Sequence, residues 1–212
     1  MGRIKKGILG GFNGKVGTVV GAKWKGVAYM RSLPQNVKNP KTLPQLKQRA
    51  KLALVVKHLK PLAPMLRVGW KDYAKKQSAF NAATAYMLAN GIVGNYPDYR
   101  IISTRLIFSR GPLTPPQNVN LDISGNILSL TWDDNSEVGN AKPTDKILIV
   151  FYNEVKNEAV MVIGGATRAS RRHENVMDRR SWSGDLVSRY VAFISEDGKE
   201  VSNSVYAWTH RL

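Results

Sequence analysis

The chain contains no cysteine. That excludes a disulfide framework, thiolate zinc sites and cysteine nucleophiles. Histidine is nearly as scarce: His58, His173 and His210 each fall in a different predicted element. His173-Glu174 does not continue to the His-Glu-x-x-His pair of a zinc protease, and no Gly-x-Ser-x-Gly elbow presents a serine nucleophile. Paired carboxylates on one helix face are missing, and Asp133-Asp134 reads as the turn after a strand. No Gly-x-Gly-x-x-Gly spacing leads from a strand into a helix, so a dinucleotide site is not supported. These absences leave no catalytic residue, metal site or cofactor to name, and the chain reads as a non-enzyme. Long apolar runs are missing too. Ile147–Tyr152 is strand-sized, far below the ~20 residues of a membrane span. Ile8–Phe12 is too short and glycine-broken for a signal-peptide core. The expected location is the cytoplasm or the interior of a virus-like particle, with no membrane partner.

The most informative absence is of acid. Residues 1–71 hold sixteen lysines and arginines and neither aspartate nor glutamate; the first acid is Asp72. Residues 1–112 carry 21 basic and 2 acidic side chains, so +19, whereas residues 113–212 carry 11 and 13, so −2. The whole excess of the +17 chain belongs to one half. Clustered positive charge of this kind selects polyanionic partners and raises encounter rates.

What is present can be taken in order. Residues 7–31 hold seven glycines with β-formers between them, which predicts an antiparallel glycine-rich ribbon turning at Asn13-Gly14. Counted in period two along the chain, Lys15, Lys23, Lys25 and Arg31 fall on one face, and Val16, Thr18, Val20, Ala22, Trp24 and Met30 on the other. A proline-punctuated connector follows over 32–41. Thr42 and Gln45 then form a capping box that opens a helix over about 43–60, ending before Pro61. Its apolar residues lie in two stripes, the pattern of a helix covered on two sides. Further helices are expected over about 62–76, where Trp70 and Tyr73 read as core, and over about 78–90, ending at Gly91. Residues 101–108 read as a strand that could pair with the ribbon.

The prolines and glycine of 109–116 mark a boundary, giving domains of 1–112 and 113–212. Beyond it, runs at 118–123, 127–132, 146–152, 159–163, 187–195 and 204–210 are separated by turn signals, the pattern of a β-sandwich. The fold class is therefore α+β: a glycine-rich β-ribbon with a small three-helix unit, then an all-β sandwich.

Pro115–Val119, the Leu128–Asp134 run with Trp132, and Tyr190–Tyr206 together resemble a fibronectin type III or related immunoglobulin-like sandwich. That resemblance implies an interaction or spacer module without catalysis. Residues 10–91, with GGFNGKVGTVVGAKWKG, NPKTLPQLKQRAKL and GWKDYA, resemble a functionally uncharacterised bacterial family in which such a front half precedes a sandwich. The NPKTLPQLKQR segment is also similar to small phage-associated proteins.

These observations predict a protein that binds nucleic acid through the phosphate backbone, without sequence preference. The expected contacts are Lys15, Lys23, Trp24, Lys25, Arg31, Lys38, Lys41, Lys47 and Lys51. An acidic protein surface is the other partner that fits the charge. On that second reading the chain is a subunit of a homo-oligomer or of a larger, phage-like assembly.

Overall fold

The structure, a computed structural model, describes residues 2–4, 7, 10–24, 26–35, 39–124, 127–176 and 182–211. It is α+β, its strands pairing antiparallel in open sheets, with no closed barrel among the described residues. The chain divides into two compact units, Met1–Thr42 and Leu43–Leu212.

The first unit is a four-stranded sheet of β1 (Arg3–Ile4), β2 (Phe12–Val16), β3 (Val19–Trp24) and β4 (Val27–Ser32), in that spatial order. Valines and aromatics supply the strand propensity and glycines the reversals. Asn13-Gly14, the expected turn, lies inside β2 instead. The reversal falls at Gly17-Thr18, where Gly17 takes a φ of 55° and Val16 pairs with Val19. Gly21 has no room for a side chain: a Cβ there would press on the Phe12 carbonyl and lie 2.6 Å from its ring. The start of β2 is thus folded closely over one face of β3. Among the described residues of this unit only Gly21 is buried.

The second unit opens with α1 (Leu43–Leu59), a 3₁₀ turn at Lys60–Leu62 and α2 (Ala63–Gly69). Together they form one helical run of 27 residues. Pro61 does not stop it, contrary to the sequence expectation. Pro61 and Pro64 sit in the first turns of the segments they enter, where a missing N–H costs no helical bond. The second helix also ends at Gly69, well before 76. A third helix, α3 (Ala79–Asn90), starts at Ser78, whose hydroxyl accepts from the Asn81 amide at 3.1 Å, and stops at Gly91. On α1 only Val55 and Leu59 are buried, while Leu52 and Val56 of the expected second apolar stripe are exposed.

Residues 101–108 do not form the expected strand. Only β6 (Arg100–Ile101) is extended in a ladder, paired with β5 (Ile92–Val93) just after α3. A 3₁₀ turn at Ser103–Arg105 breaks the run, and Leu106 and Phe108 beyond it are buried.

Seven further strands follow among the described residues: β7 (Asn120–Ser124), β8 (Ile127–Thr131), β9 (Lys146–Asn153), β10 (Glu158–Thr167), β11 (Arg172–Val176), β12 (Leu186–Ile194) and β13 (Val205–Arg211). They make a four-stranded sheet, β10-β9-β12-β13, and a three-stranded sheet, β11-β8-β7. Between the sheets lies one core, to which Leu128, Leu130, Trp132, Ile147, Ile149, Phe151, Val191 and Phe193 belong. A second core joins the helices to the other face of the four-stranded sheet: Val55, Leu59, Leu62, Leu66, Trp70 and Met87 pack with Leu148, Val150, Tyr152, Tyr190 and Ala192. Strand β9 therefore has both faces buried, and an unbroken apolar run such as Ile147–Tyr152 is what such a strand requires.

The shared core explains why the segment at 109–116, read from the sequence as a boundary, runs inside the second unit. The Arg110 amide donates to the Gly69 carbonyl at 2.8 Å, the Leu113 amide to the Val201 carbonyl at 3.1 Å, and the buried Ser109 hydroxyl to the Ser202 carbonyl at 2.7 Å. Between the sheets, Arg168 and Asp145 form a fully buried ion pair at 3.1 Å. The guanidinium also reaches Asn135 and the Thr114 carbonyl and lies 3.9 Å from the centre of the Phe193 ring. Every part of it is thus engaged.

Candidate nucleic-acid interface

The ribbon's register decides which side chains share a face. Lys15 pairs with Val20, and Val20 pairs with Arg31. Ala22 pairs with Tyr29, and Trp24 with Val27. Residues opposite one another in a ladder project from the same side, and alternate residues along a strand from opposite sides. One face of β2–β4 therefore carries Lys15, Val20, Arg31, Ala22, Tyr29, Trp24 and Val27. The other carries Val16, Val19, Gly21, Lys23, Ala28 and Met30, and it is this face that Phe12 approaches at Gly21.

This corrects the partition expected from continuous period-two counting. A two-residue turn pairs residues of opposite parity, so each hairpin shifts the numbering of the face by one. Lys15 and Arg31 stay together, as expected. Lys23 moves to the opposite face, and Trp24 joins the two cations. Predicting this takes both two-residue reversals, the one at Gly17-Thr18 and the one that pairs Trp24 with Val27.

On the face away from Phe12, Lys15 and Arg31 are exposed and flank Val20 in one row across three strands. Trp24 and Tyr29 are 64% and 44% exposed, and Val27 beside Trp24 is 66% exposed. Tyr29 precedes Arg31 by two residues on β4, and Trp24 is its diagonal neighbour on β3. No acidic residue belongs to this unit, so the lysine and arginine charges go uncompensated within it.

The remaining expected contacts are dispersed. Lys25 and Lys38 lie outside the described residues. Lys41 is exposed in the connector just ahead of Thr42. Lys47 and Lys51 belong to the second unit, one turn apart on α1; Lys47 is exposed, and the Lys51 ammonium sits 5.1 Å above the Tyr99 ring. Of Trp70 and Tyr73, both expected in the core, only Trp70 is buried, and Tyr73 is 41% exposed. Trp70 donates from its indole nitrogen to the Ile107 carbonyl, and the Arg110 guanidinium lies 4.8 Å from the Tyr73 ring and 5.2 Å from that of Tyr86.

Asp133 and Asp134 of the second unit are held by neighbouring side chains. Asp133 accepts from the Asn118 side chain and Asp134 from Ser136, with Arg171 3.8 Å from Asp134. The Ser136 hydroxyl holds Asp134 below the usual carboxylate range. Among the described residues no group of three or more histidine, aspartate or glutamate side chains could hold a metal ion. No described helix is long and apolar enough to cross a membrane.

These features define an α+β protein with an acid-free β-ribbon ahead of a helix-covered pair of sheets. The chain belongs to a family of unknown function, DUF6266, whose sequence model matches residues 11–208. That span takes in the ribbon, the helices and both sheets, so the uncharacterised family expected from residues 10–91 covers nearly the whole chain. No curated protein matches it.

Proposed function

We propose that the protein is a non-enzymatic nucleic-acid-binding protein whose ribbon contacts the phosphate backbone without sequence preference. The observation that carries the reading is the row Lys15–Val20–Arg31 on the exposed face of a sheet that contains no acid. Two cations across three strands, about 10 Å apart at the strand spacing, each meet a phosphate of one backbone and release its counterions. Lys41 and Lys47 extend the basic character along the chain. The protein would act wherever its nucleic acid is kept, in the cytoplasm or within a virus-like particle.

The two sheets support a finer reading of the fold, a fibronectin type III-like sandwich serving as the interaction module. The orders β11-β8-β7 and β10-β9-β12-β13 agree with it, as does Trp132 between the sheets.

The test is fluorescence anisotropy of labelled oligonucleotides titrated with the whole protein from low to physiological salt. Binding whose logarithm falls steeply with the logarithm of salt concentration, by on the order of 0.9 per phosphate contact, supports the proposal. A slope near zero sinks it.

One observation favours a second reading, a structural subunit of a phage-like particle or other large assembly. Strand β4 closes the strand order of the ribbon with every residue exposed, Val27 at 66% and Met30 at 69%. An open edge of this kind can take a strand from a neighbour. Sedimentation velocity across a concentration series separates the readings: a species that stays monomeric at every salt concentration excludes the assembly role.

A further inference from the structure

We infer that the open face of the ribbon takes single-stranded nucleic acid, with bases stacked on Trp24 and Tyr29 and phosphates held by Lys15 and Arg31. This rests on the nucleic-acid reading above and narrows its substrate class.

The ribbon's four-stranded sheet has no core of its own among the described residues. Its only buried described residue is a glycine, so its exposed rings do not serve a core. Trp24 at 64% exposed and Tyr29 at 44% stand on the face opposite the one Phe12 approaches. Diagonal positions on neighbouring strands lie roughly 7–8 Å apart, which sets the two rings side by side as separate platforms. Beside Tyr29 the same face turns cationic, with Arg31 two residues further along β4 and Lys15 across Val20. The two cations thus share one row, and Tyr29 and Trp24 follow in the next two rows of the same surface.

A duplex uses only half of such a surface. Its phosphates reach Lys15 and Arg31, but its base faces are stacked on one another and unavailable to the indole and phenol rings. A single strand offers both groups at once: flat apolar base faces and a charged backbone. An open sheet bearing aromatic rings, with cations along the backbone path, is the general solution for binding unpaired strands. An acidic protein surface would satisfy the cations and leave the rings without a complementary group. The charge and the rings together thus select unpaired nucleic acid over the other polyanions. Neither ring reads a Watson–Crick edge, so the preference is for strandedness and not for sequence.

The experiment uses the full chain with oligo-dT, oligo-U and a duplex of the same length, followed by anisotropy at physiological salt. Single strands should bind at least about tenfold more tightly than duplex. Trp24→Ala and Tyr29→Ala should each weaken single-strand binding by roughly tenfold and leave duplex binding unchanged. Trp24→Phe and Tyr29→Phe, which keep a ring, should restore most of the affinity and show that the alanine effect is not lost structure. Lys15→Gln and Arg31→Gln should weaken both forms alike. Salt-steep binding of duplex equal to that of single strands, or alanine variants with unchanged affinity, overturns this inference and leaves the phosphate-binding reading standing. No binding of any of the three probes overturns both. Comparison of oligo-dT with oligo-U tells whether the strand is DNA or RNA.

Discussion

The Nδ1 atom of His58, near the end of α1, lies 2.9 Å from the hydroxyl oxygen of Tyr152 on β9, joining the helical run to the sheet beneath it. The Tyr152 hydroxyl donates in turn to the Asn157 side chain, whose amide donates to the Lys57 carbonyl at 2.9 Å. With its own proton directed at Asn157, the hydroxyl accepts from His58. Nδ1 therefore carries the imidazole hydrogen, and Nε2 is left buried with no hydrogen-bond partner.

A pH dependence follows from that arrangement. Burial lowers the His58 pKa from 6.5 to about 4, against the opposing pull of Glu154. The unfolded chain thus binds a proton between those values that the folded chain refuses. The stability contributed is complete above about pH 6.5 and drains away as pH falls toward 4, in total on the order of 3 kcal/mol. Urea unfolding at neutral pH and at about pH 4.5 measures it. His58→Gln should flatten the loss across this window; an undiminished loss would assign it to the carboxylates.

The Arg168–Asp145 pair makes a second prediction. Both side chains are fully buried, so Asp145→Ala leaves an uncompensated guanidinium between the sheets. The expected destabilisation is about 3–5 kcal/mol, read as a fall in the urea midpoint. Asp145→Asn should cost less, because it keeps an acceptor. Equal losses would show that the charge of Asp145, and not a hydrogen-bond acceptor at that position, holds Arg168.

Gly69 tests the close approach of α2 to the segment beyond the helices. An added Cβ would press on the Phe108 carbonyl oxygen and lie 2.7 Å from the Ser109 Cα. Both obstacles are backbone and cannot rotate aside. Gly69→Ala should therefore destabilise by about 1–3 kcal/mol, although alanine favours a helix. A neutral or stabilised variant by calorimetry would mean that the segment yields.

Lys15, Arg31 and Lys23 can be separated by salt dependence. Lys15→Gln or Arg31→Gln should each reduce the salt slope of nucleic-acid binding by about 1. Lys23→Gln, on the opposite face, should leave it unchanged. Equal effects from all three would mean that the ribbon acts as a diffuse cloud of charge and not through one face.

Much of the fold was legible because it rests on local patterns. Thr42 marks a helix start, Gly91 marks an end, and the alternating or apolar runs locate six of the seven strands of the two sheets. Strand β11 was not legible. Its sequence Arg-His-Glu-Asn-Val is polar, and it exists because each residue pairs with β8, from Arg172–Thr131 to Val176–Ile127. That is a tertiary cause with no local signature. The extent of the helical run was obscured by Pro61, which commonly ends a helix but here enters a new turn. At the candidate interface, the residue types were visible and their faces were not. Trp24 and Lys15 share a side only because a two-residue loop at Gly17-Thr18 reverses parity, and Asn13-Gly14 was the more obvious turn.

Strand β9 carries a consequence for how this protein can be divided. Ile147, Ile149 and Phe151 belong to the core between the sheets, whereas Leu148, Val150 and Tyr152 belong to the core beneath the helices. A fragment beginning at residue 113 would open that second surface to water along its full length and should be recovered as aggregate. The paired sheets are therefore not a portable bead that recombination could string into another chain. The unit that can be inherited or transplanted whole begins at Leu43, with its helices attached.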